Sequence, residues 1–187
     1  MAASDTDINP NPEPLSAAGI ACLSAEGLER RLDEEINRAE RHGTQLSCLL
    51  VTIGNLEELA REHGGELAEQ TLVYVARALS AQVRGFDRVG RPSDGELLLI
   101  LPGADSPRGE MVARRVLERL RTIKVETDGA RQPLRISVGL AAWRESMTTD
   151  DLLRQARSAA RRGNGSEASS TLPSASPPVL GRPHRPA

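Results

Sequence analysis

Residues 84–102 read Arg84-Gly-Phe-Asp-Arg-Val-Gly-Arg-Pro-Ser-Asp-Gly-Glu-Leu-Leu-Leu-Ile-Leu-Pro102. Pro92-Ser93-Asp94-Gly95 combines a fixed φ, two side chains that bond to nearby backbone and a glycine open to the left-handed region. That chemistry makes a turn. Phe86–Arg91 and Glu96–Leu101 on either side are expected to be the two strands of a hairpin, and Pro102-Gly103 stops the second. A tight acidic turn can be a phosphate and metal site, or it can be a turn and nothing more. The surrounding chain has to decide.

Upstream, Ser24 suits the N-cap of a helix running to about His42. Leu28, Leu32, Ile36 and Ala39 fall on one face, and Gly43 is the stop. Arg30, Arg38, Arg41, Glu34 and Glu35 read as its charged, solvated side. Leu46–Ile53 is a mainly apolar run of strand length, which predicts a central strand covered on both faces. Asn55 starts a short helix ending near His63-Gly64-Gly65. A longer helix follows, with Leu67, Leu72, Val75, Ala76 and Leu79 inward.

Downstream, a helix is predicted over about 107–123, with Met111, Val112, Val116, Leu117 and Leu120 inward. Residues 125–133 read as a turn region. Leu134–Ala142 reads as a strand, in which Ser137 and Gly139 suit close packing, and 149–162 as a last helix. Residues 1–16 and 163–187, rich in Pro, Ser and Gly with little to bury, read as disordered ends around one domain at 17–162. The order predicts an α/β fold: a mixed sheet with helices on one main side.

Composition narrows the function. Formal net charge is −2, from 24 Lys and Arg against 26 Asp and Glu, so no field favours duplex nucleic acid or an anionic membrane. The aromatic residues are Tyr74, Phe86 and Trp143, too few for a surface that stacks single strands. Cys22 and Cys48 lack metal-ligand spacing and suit a reduced compartment. The acidic, proline-rich start is unlike a signal peptide, and no apolar run nears the ~18 residues of a membrane span. A cytoplasmic location is expected.

Four segments together resemble the GGDEF (diguanylate cyclase) family over about residues 20–160. Asp87-Arg-Val-Gly-Arg-Pro-Ser-Asp-Gly-Glu-Leu97 is similar to its D-x-V-x-R-x-G-G-D-E-F stretch. Ile136-Ser-Val-Gly-Leu-Ala141 resembles its v-S-i-G-i-a strand. Leu72–Leu79 resembles its v-L-r-x-v-A-x-x-L helix. Arg38–Ile53 resembles the end of its first helix and first strand. The resemblance implies a nucleotidyl-cyclase, ferredoxin-like fold with a mainly antiparallel five-stranded sheet. It also implies a reaction in which two GTP condense to cyclic di-GMP across a dimer, using two metal ions to stabilise phosphate charge.

Residue by residue, the metal and guanine positions of that family are altered here. Thr52 and Gly54 stand where its strand-end aspartates belong. Ser93, Asp94 and Gly95 replace its Gly-Gly-Asp, and Glu96 keeps register. Ala60 stands at its guanine-contacting Asn, and Glu69 retains an acid. A hydroxyl is a poor ligand for a hard cation, so the resemblance with these changes implies no catalytic residue and no metal unless Mg²⁺ serves a residual activity. In the last helix, Arg161 and Arg162 are the cations nearest the family's phosphate-gripping positions. The family's product-binding Arg-x-x-Asp survives as Arg84-Gly-Phe-Asp87, with Arg115 on the following helix as the completing cation. The plainer reading is that Arg84 caps a helix end and Asp87 is a solvated charge.

Three functions stay open at this point. One is a non-catalytic module binding cyclic di-GMP through Arg84, Asp87 and Arg115. Another is a dimerisation scaffold, or a scaffold for another signalling protein, without nucleotide. The third is a residual cyclase or GTP binder using Glu69 and Glu96.

Overall fold

The computed structural model describes residues 22–127 and 130–164. The expected disordered segments, 1–16 and 163–187, lie outside the described residues except for Gly163 and Asn164, which continue the last helix. The elements in chain order are β1 (Cys22–Leu23), α1 (Ala25–His42), β2 (Leu46–Ile53), α2 (Leu56–His63), α3 (Gly65–Ser80) and β3 (Arg88–Gly90). They continue with β4 (Glu96–Pro102), α4 (Ser106–Arg121), β5 (Lys124–Thr127), β6 (Ala130–Pro133), β7 (Ile136–Ala142) and α5 (Thr149–Asn164).

Five strands form one sheet in the order β1-β3-β4-β2-β7. Only β1–β3 is parallel, and the other three pairings are antiparallel. This is the mixed, mainly antiparallel sheet expected. The run Leu46–Ile53 lies inside it, with β4 on one edge and β7 on the other. Alternate residues of β2 serve two cores. Leu49, Val51 and Ile53 pack with α2, α3 and α4. Cys48 and Leu50 pack with Leu28 and Leu32 of α1 and Leu152 and Ala156 of α5. The helices therefore cover both faces, not one main side. An eight-residue run without a polar face has to be covered twice.

Local chemistry sets the ends of the elements. The Ser24 hydroxyl accepts from the Gly27 N–H at the start of α1, and Gly43 closes the helix in the left-handed region. The Asp105 carboxylate accepts from the Arg108 N–H at the start of α4. Helix and sheet approach closely at Gly139. A Cβ there would lie 2.1 Å from the Ala156 carbonyl and 2.4 Å from the Ala160 nitrogen. Its missing side chain lets α5 sit directly on β7.

Several expectations are corrected. The first hairpin strand is only Arg88–Gly90, because residues 84–87 fold into a turn of their own. The supposed turn region 125–133 contains a second, two-stranded sheet, β5–β6. Met111 is 69% exposed, since the buried face of α4 runs through Gly109, Val116 and Leu120. Glu35 is 2% exposed, because it belongs to the buried face of α1 and is neutralised by Arg31 at 2.6 Å. No helix among the described residues is long and apolar enough to cross a membrane.

Candidate functional site

Two turns flank β3, and they carry the candidate residues. The second runs from Pro92 to Gly95. Gly95 has φ +72°, a value costly for any residue with a Cβ, so the glycine suits the turn. Its carbonyl accepts from the Ile53 N–H at 3.2 Å, and the Glu96 N–H donates to the Ser93 carbonyl at 3.2 Å. These bonds hold the turn against the end of β2. Thr52 is there the direct cross-strand partner of Glu96.

Every acid around this turn meets an arginine. Arg157 of α5 forks onto Glu96: its Nη2 donates to Oε2 at 2.8 Å and its Nε reaches the two oxygens at 3.1 and 3.2 Å. The Ser93 hydroxyl donates to the same carboxylate at 2.6 Å. Burial alone would raise the Glu96 carboxyl. The bonds from Arg157 and Ser93, with the positive charge of Arg157 and Arg161, outweigh burial and hold it below the usual range. The bond to Glu96 in turn raises Arg157. Arg91 spans the remaining acids. Its Nη1 donates to Glu69 at 2.9 and 3.1 Å and its Nη2 to Asp94 at 3.0 Å.

These residues do not fit a two-metal site. Thr52 offers a hydroxyl, Gly54 offers no side chain, and Gly54 N–H is bound to the Arg135 carbonyl at 2.7 Å. Ala60 is a methyl group on the last turn of α2. Asp94 is fully exposed and tied to Arg91, so it does not turn inward to replace a lost ligand. Among the described residues, no three His, Cys, Asp or Glu side chains converge as a cation site requires.

The first turn, Arg84–Asp87, is built differently. The Asp87 carboxylate accepts from the Arg84 N–H at 2.8 Å, and the Asp87 N–H donates to the Arg84 carbonyl at 3.1 Å. Arg88 braces the turn by donating to the Gly85 and Asp87 carbonyls at 2.7 and 2.8 Å. Arg115 donates to the Gln82 carbonyl at 2.6 Å, so α4 is fastened to the base of the same loop. The structure thus brings the three predicted residues to one loop. Arg115, not Arg84, satisfies the carbonyl beyond α3, and the Arg84 guanidinium makes no hydrogen bond or ion pair among the described residues. Phe86 of the same turn is 53% exposed.

Sequence reasoning missed Arg157. It weighed Arg161 and Arg162, whereas α5 presents Arg157 one turn earlier. The available signal was the spacing from Arg157 to Arg161, which puts both on one face of a helix whose Ala156 and Ala160 are buried.

The chain matches the family model for the diguanylate cyclase GGDEF domain over residues 24–167. It is 28% identical over 120 residues to the probable diguanylate cyclase DgcC of Escherichia coli strain K12, covering 64% of this chain and 32% of that protein. It therefore spans about a third of that relative's length. Its fold is similar to that of the diguanylate cyclase SiaD from Pseudomonas aeruginosa, solved in complex with its activator SiaC. The TM-score is 0.74 at 25% identity, covering 82% of this chain and 57% of SiaD. The GGDEF domain of DgcB from Caulobacter crescentus, solved in complex with c-di-GMP, shares the fold with a TM-score of 0.72 at 14% identity, over 84% and 92% of the two chains. With the sheet order, the two flanking turns and a family match covering most of its length, the chain belongs to the GGDEF diguanylate cyclase domain family.

Proposed function

We propose that this chain is a non-catalytic GGDEF signalling module that binds cyclic di-GMP at the Arg84–Asp87 turn and relays its occupancy to a partner protein. One observation carries the reading: the acids of the second turn are engaged by Arg91 and Arg157, while the guanidinium of the first turn is unengaged. A guanidinium fork suits a phosphate or the acceptor edge of guanine, and a neighbouring carboxylate suits guanine N–H donors. Arg115 adds a second cation at the loop's base. Binding would ask Asp87 and Arg115 to exchange backbone partners for ligand, at modest cost on an exposed loop.

The test is a paired titration of the full chain. Calorimetry with cyclic di-GMP is expected to show binding that Arg84→Ala weakens roughly thirtyfold. Incubation with GTP and Mg²⁺ or Mn²⁺ is expected to yield no cyclic di-GMP. Absence of heat with cyclic di-GMP would leave the scaffold function in its place. Turnover of GTP would favour a residual cyclase that uses Glu69 and Glu96.

A further inference from the structure

A second cluster of charge begins one helical turn along α4 from Arg115. A cleft of about 350 Å³ opens between α3, the end of α4 and the β5–β6 hairpin. Ile123 supplies a buried apolar patch in it, and Tyr74 of α3 lines it with a ring that is 55% exposed. Arg119, Lys124 and Arg131 converge on it, against one lining carboxylate, Glu126, which faces Arg131 across the hairpin.

The three cations gather on one cleft without carboxylate partners of their own, unlike the arginines around the second turn. Arg31, Arg91, Arg135, Arg154 and Arg157 each hold a carboxylate. Arg119, Lys124 and Arg131 form no ion pair among the described residues. Like charges gathered on one cleft repel each other, and an anion placed among them reverses the sign of that interaction. The volume is at the lower end of small-molecule sites. An exposed aromatic ring beside cations suits a ligand with a flat ring and a phosphate. A carboxylate on the same wall can accept from a ribose hydroxyl or a base N–H.

We propose that this cleft binds a nucleoside monophosphate, with the phosphate among Arg119, Lys124 and Arg131 and the base against Tyr74. The site shares no residue with Arg84, Asp87 and Arg115, and it stands or falls independently of cyclic di-GMP binding.

The experiment is calorimetry, or amide chemical-shift mapping, on the full chain with adenosine 5′-monophosphate, ribose 5-phosphate and adenosine. Sub-millimolar binding of the nucleotide is expected, with each fragment weaker by about tenfold or more. Tyr74→Ala should weaken the nucleotide about tenfold. Arg131→Glu should abolish binding, and Arg84→Ala should leave it unchanged. Circular dichroism verifies that these surface variants fold. Three results would overturn the assignment: no nucleotide binding at millimolar concentration, binding indifferent to both Tyr74→Ala and Arg131→Glu, or loss of binding in Arg84→Ala. A 5′-phosphorylated oligonucleotide binding tenfold tighter than the mononucleotide would refute a small-molecule site and indicate a strand end.

Discussion

The two turns on either side of β3 are separated by four residues, yet they satisfy their charges in opposite ways. At Pro92–Glu96, side chain meets side chain: Arg91 takes Glu69 and Asp94, and Arg157 takes Glu96. At Arg84–Asp87, side chains meet backbone, and one guanidinium is left outward. A turn closed by its own ion pairs resists a charged ligand, which would first have to break them. At the first turn one guanidinium is open to a ligand from the start, and Asp87 and Arg115 would exchange only neutral backbone partners. Proximity in sequence therefore does not imply shared chemistry.

The contrast can be broken from the side of the fold. Gly139→Ala puts a Cβ into the backbone of α5, and overpacking there should cost about 3 kcal/mol, read as a lower denaturant midpoint. Because α5 carries Arg157, the variant should also disturb the second turn while cyclic di-GMP binding at the first survives. Next in size is Arg84→Ala. It should weaken cyclic di-GMP by about 2 kcal/mol, roughly thirtyfold in Kd, with no change in thermal midpoint. Arg157→Ala should do the converse. It should cost about 1 kcal/mol of stability, since the pair is partly solvent-screened, and leave ligand affinity intact.

The smallest effect is a pH dependence. Glu96 is held below its ordinary 4.5 in the folded state, so its contribution is complete above that value. It is lost as pH falls through the lower folded value. Urea titrations below pH 4.5 should show a downward slope in stability that is shallower in Glu96→Gln.

Legibility followed the length of the signal. An eight-residue, mainly apolar run between turn signals announced β2, and Ser24 and Gly43 announced both ends of α1. Two-residue β1 carries no pattern, since its existence depends on pairing with β3. The β5–β6 hairpin was hidden because Lys124–Pro133 is polar and short, although Asp128-Gly129 in the sequence is itself a hairpin signal. At the candidate site, the sequence names Arg84, Asp87 and Arg115, and the structure gathers them at one loop. The sequence could not reveal that Glu96 meets Arg157, because that contact joins positions 61 residues apart through the packing of α5 on β7. Glu35 differs in kind: its pairing with Arg31 is a local i,i+4 contact, but its burial depends on how α1 packs on the sheet.

The position of β2 also sets how the domain exchanges its amide hydrogens. Its ladder is bonded along both edges and its side chains are covered on both faces. No partial opening exposes its N–H groups without dismantling both cores, so their exchange should proceed through global unfolding and report the stability of the whole domain. In the separate β5–β6 sheet, the mostly exposed β6 should exchange through local opening. Deuterium uptake would then sort the chain by its distance from a single strand.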